Sequence, residues 1–154
     1  MNVRHDTGRF AAVVVFAFLA TVATTQVSAE PDKLQYELQE RCGRRATEVF
    51  EKEYGSGFSE DDTSYTTYHQ ENNYNVSLNK CYMTVKTTTR GKFKAGTPKW
   101  SVVSIELRDV NSNKQIGWIG YTEGESPHSD SCYVAERVCK SLTEWLLFAG
   151  FYME

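Results

Sequence analysis

The sequence predicts an α+β fold in two layers: an N-terminal helix, a four-stranded antiparallel meander and a C-terminal helix, tied by two disulfides. Three patterns in the 154 residues predict it. Apolar residues recur every three or four positions in one early stretch, which is the period of an amphipathic helix. Four central segments alternate apolar with polar residues, the period of a half-buried strand. A Ser-x-x-Glu signature then opens a last apolar run, as a helix N-terminus does. A 13% aromatic content argues against disorder, and ten glycines with three prolines exclude a collagenous chain.

The first 29 residues read as a secretory signal peptide. Arg4 and Arg9 precede the apolar run 10–23, and Val27-Ser28-Ala29 offers small residues for cleavage after Ala29. The run is shorter than the roughly 20 apolar residues of a spanning helix, and no cysteine follows it for lipid attachment. Residues 30–154 are therefore expected to form a single α+β domain, exported to the periplasm or secreted and not membrane-spanning once the signal is removed. With 15 basic and 19 acidic residues, this part has a net charge of −4.

The first element is a helix over residues 33–54. Leu34, Leu38, Cys42, Ala46, Val49 and Phe50 share one face, and Gly55 with Gly57 supplies the stop. Residues 59–62 read as a polar loop. Strand character then runs through residues 64–74, rich in Tyr and Thr. It continues in the alternations Cys81-Met83-Val85, Val103-Ile105-Leu107 and Ile116-Trp118-Gly120. Turn residues separate these segments at Asn79-Lys80, Gly91 to Pro98, and Asn111-Ser112-Asn113. Short connections favour a meander. Both helices are expected to cover one sheet face, leaving the other to Tyr82, Thr84 and Thr88.

Four cysteines in an exported chain read as two disulfides. No CxxC is present, which disfavours a zinc site or a redox pair. In one helix Cys132 and Cys139 would be about 10.5 Å apart at 1.5 Å per residue, beyond the roughly 7 Å a disulfide spans. The last helix is therefore expected to start at Ser141, with Glu144 completing a capping box and Leu142, Trp145, Leu146 and Ala149 buried. Cys132–Cys139 then closes a short bend, and Cys42–Cys81 ties the first helix to the sheet.

The run Tyr74-Asn75-Val76-Ser77-Leu78-Asn79-Lys80-Cys81, followed by Tyr82-Met83, resembles an H-Y-N-x-x-L-N-K-C motif, followed by an aromatic, of small exported bacterial proteins with no known activity. The spacing of Cys132 to Cys139, then Ser141, Glu144, Trp145 and a final Tyr152-Met153, is similar to the same group. One position departs: Asn73 stands where the motif has His. The resemblance implies a bacterial envelope location.

Chemistry-bearing residues are sparse. After the signal only His69 and His128 remain, and no G-x-S-x-G, H-E-x-x-H or paired-carboxylate pattern accompanies them. His69 with Glu71, two residues on along the same strand face, is the one candidate centre for a small hydrolase or transferase. The alternative is a surface strand histidine. Lys80 precedes Cys81 and could activate a thiol, but pairing with Cys42 is the simpler fate. Residues 117–124 are glycine-rich without a following helix, so they do not make a phosphate loop. Asn75-Val76-Ser77 fits a glycosylation sequon, which matters only in a eukaryotic secretory route.

Charge is unevenly distributed. Residues 30–71 carry 5 basic and 11 acidic groups, net −6. Residues 72–105 carry six cations and no acid, net +6, while residues 106–154 are net −4. Arg90, Lys92, Phe93, Lys94 and Lys99 fall in or beside one turn, and Tyr82 lies on the adjacent strand. These residues are the candidate ligand-binding set: a basic hairpin loop with an aromatic, suited to an anionic envelope surface. The alternative is a loop that answers the acidic helix or guards a sheet edge with lysines. The resulting expectation is a non-enzymatic binding or interaction protein, with no cofactor, no metal and no nucleic acid. A purely structural envelope component bound to a protein partner is a further reading.

Overall fold

A computed structural model describes residues 33–92, 100–123 and 132–154. Helix α1 spans Lys33–Tyr54, as its periodicity predicts, and buries Cys42, Ala46 and Val49. Strands β1 (Phe58–Glu60), β2 (Ser64–Asn75), β3 (Lys80–Gly91), β4 (Ser101–Asp109), β5 (Lys114–Thr122), β6 (Cys132–Val134) and β7 (Arg137–Val138) follow, and helix α2 (Leu142–Met153) closes the chain. The strands form one antiparallel sheet whose spatial order is the order of the sequence, β1 to β7.

The four-stranded meander is therefore a seven-stranded one. Its four long strands, β2 to β5, are those the alternation predicts; β1, β6 and β7 are additional. Segments of two or three residues are too short to display a period. Strand β1 is also fully exposed, so nothing in its side chains separates it from the polar loop expected over residues 59–62. Backbone pairing of Phe58, Ser59 and Glu60 with Thr67, Thr66 and Tyr65 makes it a strand. The bend between the last two cysteines is a β6–β7 hairpin, with Ala135 at φ 52° in its turn.

The helices also pack differently from the expectation of one covered face. Cys81, Met83 and Val85 join α1 in one core cluster. Tyr82 joins Leu107, Ile119, Cys132, Trp145 and Ala149 in a second. Neighbouring residues of a strand point to opposite faces, so α1 and α2 lie on opposite sides of the sheet. Three layers replace the expected two. Once Cys81 is bonded to Cys42 on the α1 side, alternation sends Tyr82 to the other side. There Cys132 and Val134 of β6 deliver the chain into α2.

Both disulfides form as expected, Cys42–Cys81 across 39 residues and Cys132–Cys139 across 7. Ser141 caps α2, its Oγ accepting from the Glu144 amide at 3.2 Å. The Glu144 carboxylate reaches back one residue beyond the N-cap, accepting from the Lys140 amide at 2.7 Å. Along α2, Trp145 and Ala149 are buried, whereas Leu146 is exposed rather than packed. The helix is apolar around most of its circumference, and Leu147 and Phe151 are exposed as well.

The C-terminal end of α1 is anchored by charge and by rings. Arg108 pairs with Glu106 and Glu53, and Tyr54 stacks on Tyr68 with centroids 4.8 Å apart. Burial, reinforced by the Glu106 carboxylate, raises the Tyr54 phenol from 10.0 to about 12. A group kept protonated by the fold adds stability that is complete below its unfolded pKa and disappears as pH rises through the folded one. Tyr54 is therefore expected to contribute below pH 10.0 and to lose that contribution by about 12. Absorbance titration of the phenolates checks this: Tyr54→Phe should remove a late-ionising tyrosine and flatten the loss of stability over that interval.

Candidate functional site

A concavity lies between α2 and the sheet, on the face that carries Tyr82. Its volume is about 320 Å³, the lower end of the range for small-molecule sites. Ile105, Trp145, Ala149 and Met153 give it an apolar floor. His69, Glu71, Thr84 and Lys86 form the strand-borne side. Pairing explains the cluster: His69 is directly opposite Lys86, and Glu71 opposite Thr84. Alternation puts all four on the α2 face. Exposed Leu146 continues the apolar lining outward along the helix. On the far flank of α2, Leu147, Phe148 and Phe151 line a second groove against the β6–β7 hairpin.

Polar groups in the cleft are unevenly matched. The His69 Nε2 and Glu71 Oε1 atoms are 3.9 Å apart, with side chains 74% and 73% exposed. Lys86 has no ion-pair partner among the described residues. Trp145 is 1% exposed, and its Nε1–H is buried without a hydrogen-bond partner. A buried donor left unmade costs about 1–3 kcal/mol. The complement of one exposed, unpaired cation beside an apolar floor is a negatively charged head group on an apolar body.

His69 and Glu71 are well solvated, and among the described residues no hydroxyl is hydrogen-bonded to His69. All four cysteines are in disulfides, so no thiol nucleophile remains. Among the described residues no three His, Cys, Asp or Glu side chains cluster as metal ligands would. His128 lies outside the described residues.

The candidate basic loop is only partly visible. Phe93, Lys94 and Lys99 lie outside the described residues. Lys92 is engaged: its Nζ is 2.7 Å from Glu60 Oε1 and also donates to the Asp61 carbonyl. Asp61 in turn accepts from Thr63 and Ser64, which hold its carboxylate ionised well below the usual range. Arg90 is exposed on the β3 strand opposite Tyr65. Tyr82 is 4% exposed and packs edge-on against Tyr152, so it belongs to the α2 core rather than to an open sheet face. Of the described members of the set, Lys92 is ion-paired, Arg90 is exposed and Tyr82 is buried.

The Y-N-x-x-L-N-K-C residues are spent on structure. Asn75 is buried; its Oδ1 accepts from the Leu78 amide at 2.8 Å. Its Nδ2 donates to the Phe151 carbonyl at 2.8 Å, satisfying an otherwise orphaned acceptor at the end of α2. Asn79 takes φ 51° in the turn, and the Tyr74 hydroxyl bonds to its side chain. Lys80 pairs with buried Asp109 at 2.8 Å. Burial opposes the Asp109 charge, but Lys80 and the Ser112 and Asn111 amides outweigh it and hold the carboxyl below its ordinary value. Cys81 completes the disulfide. The motif joins the β2–β3 hairpin to both helices. Asn73, at the position where the motif has His, is half-buried with its Nδ2 unpartnered.

Sequence reasoning finds Trp145 and Ile105 only as core residues and Lys86 only as one cation among six. Their convergence requires knowing that α2 covers the Tyr82 face. The available signal is parity: residues 82, 84 and 86 must oppose the face chosen by Cys81. No helix among the described residues is long and apolar enough to cross a membrane. Compared with protein-family models, curated proteins and solved structures, the chain matches none.

Proposed function

We propose that the protein is an exported, disulfide-stapled binding protein of the bacterial envelope, without catalytic chemistry of its own, that holds an amphipathic anion in the cleft between α2 and the sheet. The observation that carries this reading is exposed Lys86, without an ion-pair partner among the described residues, beside an apolar floor that includes Trp145. The apolar body of the ligand lies along Ile105, Ala149 and Met153, and its head group meets Lys86. The exposed apolar flank of α2 extends the surface available to a long chain. Export rests on the leader-like residues 1–29, the two disulfides and the Y-N-x-x-L-N-K-C resemblance.

Calorimetric titration with dodecanoate tests the reading, with dodecyltrimethylammonium as the cationic control. Dodecanoate is expected to bind at one site and the cation at least about tenfold more weakly. Lys86→Ala should weaken dodecanoate about tenfold, the scale of one charge-assisted contact. Ile105→Trp, which fills the floor, should abolish binding. Equal affinity for both head groups, or indifference to both substitutions, contradicts the reading.

A further inference from the structure

A second surface lies on the opposite face of the sheet, beyond the end of α1. The pairing aligns Ser59, Thr66, Thr89, Val102 and Thr122 in one row across five strands. Tyr68, Thr87, Ser104 and Gly120 form the row beside it. None of these nine positions is Asp, Glu, Lys, Arg or His, in a chain that is 24% charged. Val102 sits in the central strand β4 yet is 43% exposed, so no described layer covers it. At about 4.8 Å per strand the first row is roughly 19 Å long.

Two indoles lie on this face. A Cβ on Gly120 would collide with the six-membered ring of Trp118, and one on Gly91 would collide with the pyrrole ring of Trp100. Each ring therefore rests against the sheet where a glycine makes room for it. Trp100 remains 47% exposed. The row between them carries hydroxyls, including Thr66 Oγ1 and Thr89 Oγ1 at 3.0 Å from one another.

We infer that this face binds a neutral polysaccharide chain lying across the strands. An aromatic face carries partial negative charge and meets the C–H-bearing face of a sugar ring. Threonine and serine hydroxyls both donate and accept, which matches the hydroxyls on the ring edges. The two rows hold no charged side chain, and Glu106 opposite Trp118 is neutralised by Arg108, which complements an uncharged ligand. A row spanning five strands matches an extended chain rather than one sugar. This surface is independent of the α2 cleft, because it lies on the other side of the sheet.

The test is retention of the oxidised protein on chitin and on cellulose, at low salt and at about 1 M salt, where exposed charges are screened. Retention on at least one of the two is expected, and it should persist in high salt. Trp118→Ala, Trp100→Ala and Thr89→Lys should each lower it by about tenfold or more. Thr122→Lys, at the end of the row, provides the same loss should Thr89→Lys unfold, and far-ultraviolet circular dichroism verifies each fold. Failure to be retained on either polysaccharide overturns the inference. So does retention that salt removes or that the folded variants keep. Dodecanoate binding is expected to be unchanged in these variants, which separates this inference from the cleft.

Discussion

Replacing both Cys42 and Cys81 by Ala is expected to lower stability by about 4 kcal/mol. The bond links residues 39 apart, and closing a loop of that length removes about 4 kcal/mol of denatured-state entropy in the chain-entropy description. Cys132–Cys139 closes only 7 residues, for which the same relation gives about 2.5 kcal/mol. Ordinary domains have about 5–15 kcal/mol in total, so loss of the long-range bond consumes a large share. Its position adds to the effect: Cys42 and Cys81 are themselves core residues joining α1 to β3, next to Met83 and Val85. Urea unfolding of the double variant against the Cys132→Ala/Cys139→Ala pair checks the order. A smaller loss for the Cys42–Cys81 variant than for the other would show that α1 docks without its staple.

Trp145→Ala is expected to cost about 3–5 kcal/mol, because it empties the largest fully buried side chain of the α2 core. Leu107, Ile119 and Cys139 surround that position and cannot collapse into it without moving α2. Trp145→Phe should behave differently. It keeps most of the volume and deletes a donor that has no partner, so its stability cost should be only about 1 kcal/mol. Affinity for dodecanoate should nevertheless fall, because the indole is part of the apolar lining of the cleft. The Phe variant thus separates packing from recognition. Thermal unfolding and calorimetry on the same samples measure both.

How far the sequence can be read depends on how much local signal each element carries. Helix α1 has six apolar positions in register over 22 residues and two glycines to stop it, and its bounds follow. The start of α2 follows from a distance argument: Cys132 and Cys139 cannot pair within one helix, so the helix begins after them. The alternating segments likewise locate β2 to β5. Strand β1 has no such signal; its three residues are exposed and polar-edged, and it exists through backbone bonds to β2. The layer assignment fails for a different reason. Periodicity shows that a helix has an apolar face without saying which side of a sheet receives it. Parity from Cys81 to Tyr82 carries that information, but only once the Cys42–Cys81 bond and the α2 partner are known.

The candidate site shows the same limit. Charge counting singles out the cations of residues 72–105 as a group, and the fold gives the described ones different surroundings. Lys80 neutralises Asp109, Lys92 neutralises Glu60, and Lys86 alone of these three stands over an apolar cleft. His69 and Glu71 are adjacent on one strand face, as their spacing requires, yet their exposure leaves them at a rim. Trp145 is visible in the sequence as a core residue, and its unpaired nitrogen is visible only in three dimensions.

The most direct test follows the Trp145 indole itself. In a proton–nitrogen correlation spectrum the Nε1–H signals of Trp100, Trp118 and Trp145 are separable, and Trp145→Phe assigns the one that matters. Titration with dodecanoate is expected to shift the Trp145 signal in a saturable manner, because its indole lines the cleft, while the Trp100 and Trp118 signals stay in place. Lys86→Ala should move the midpoint to higher ligand without changing which signal responds. A Trp145 signal that stays fixed through saturating dodecanoate, or that moves no more than those of Trp100 and Trp118, would contradict binding in the α2 cleft.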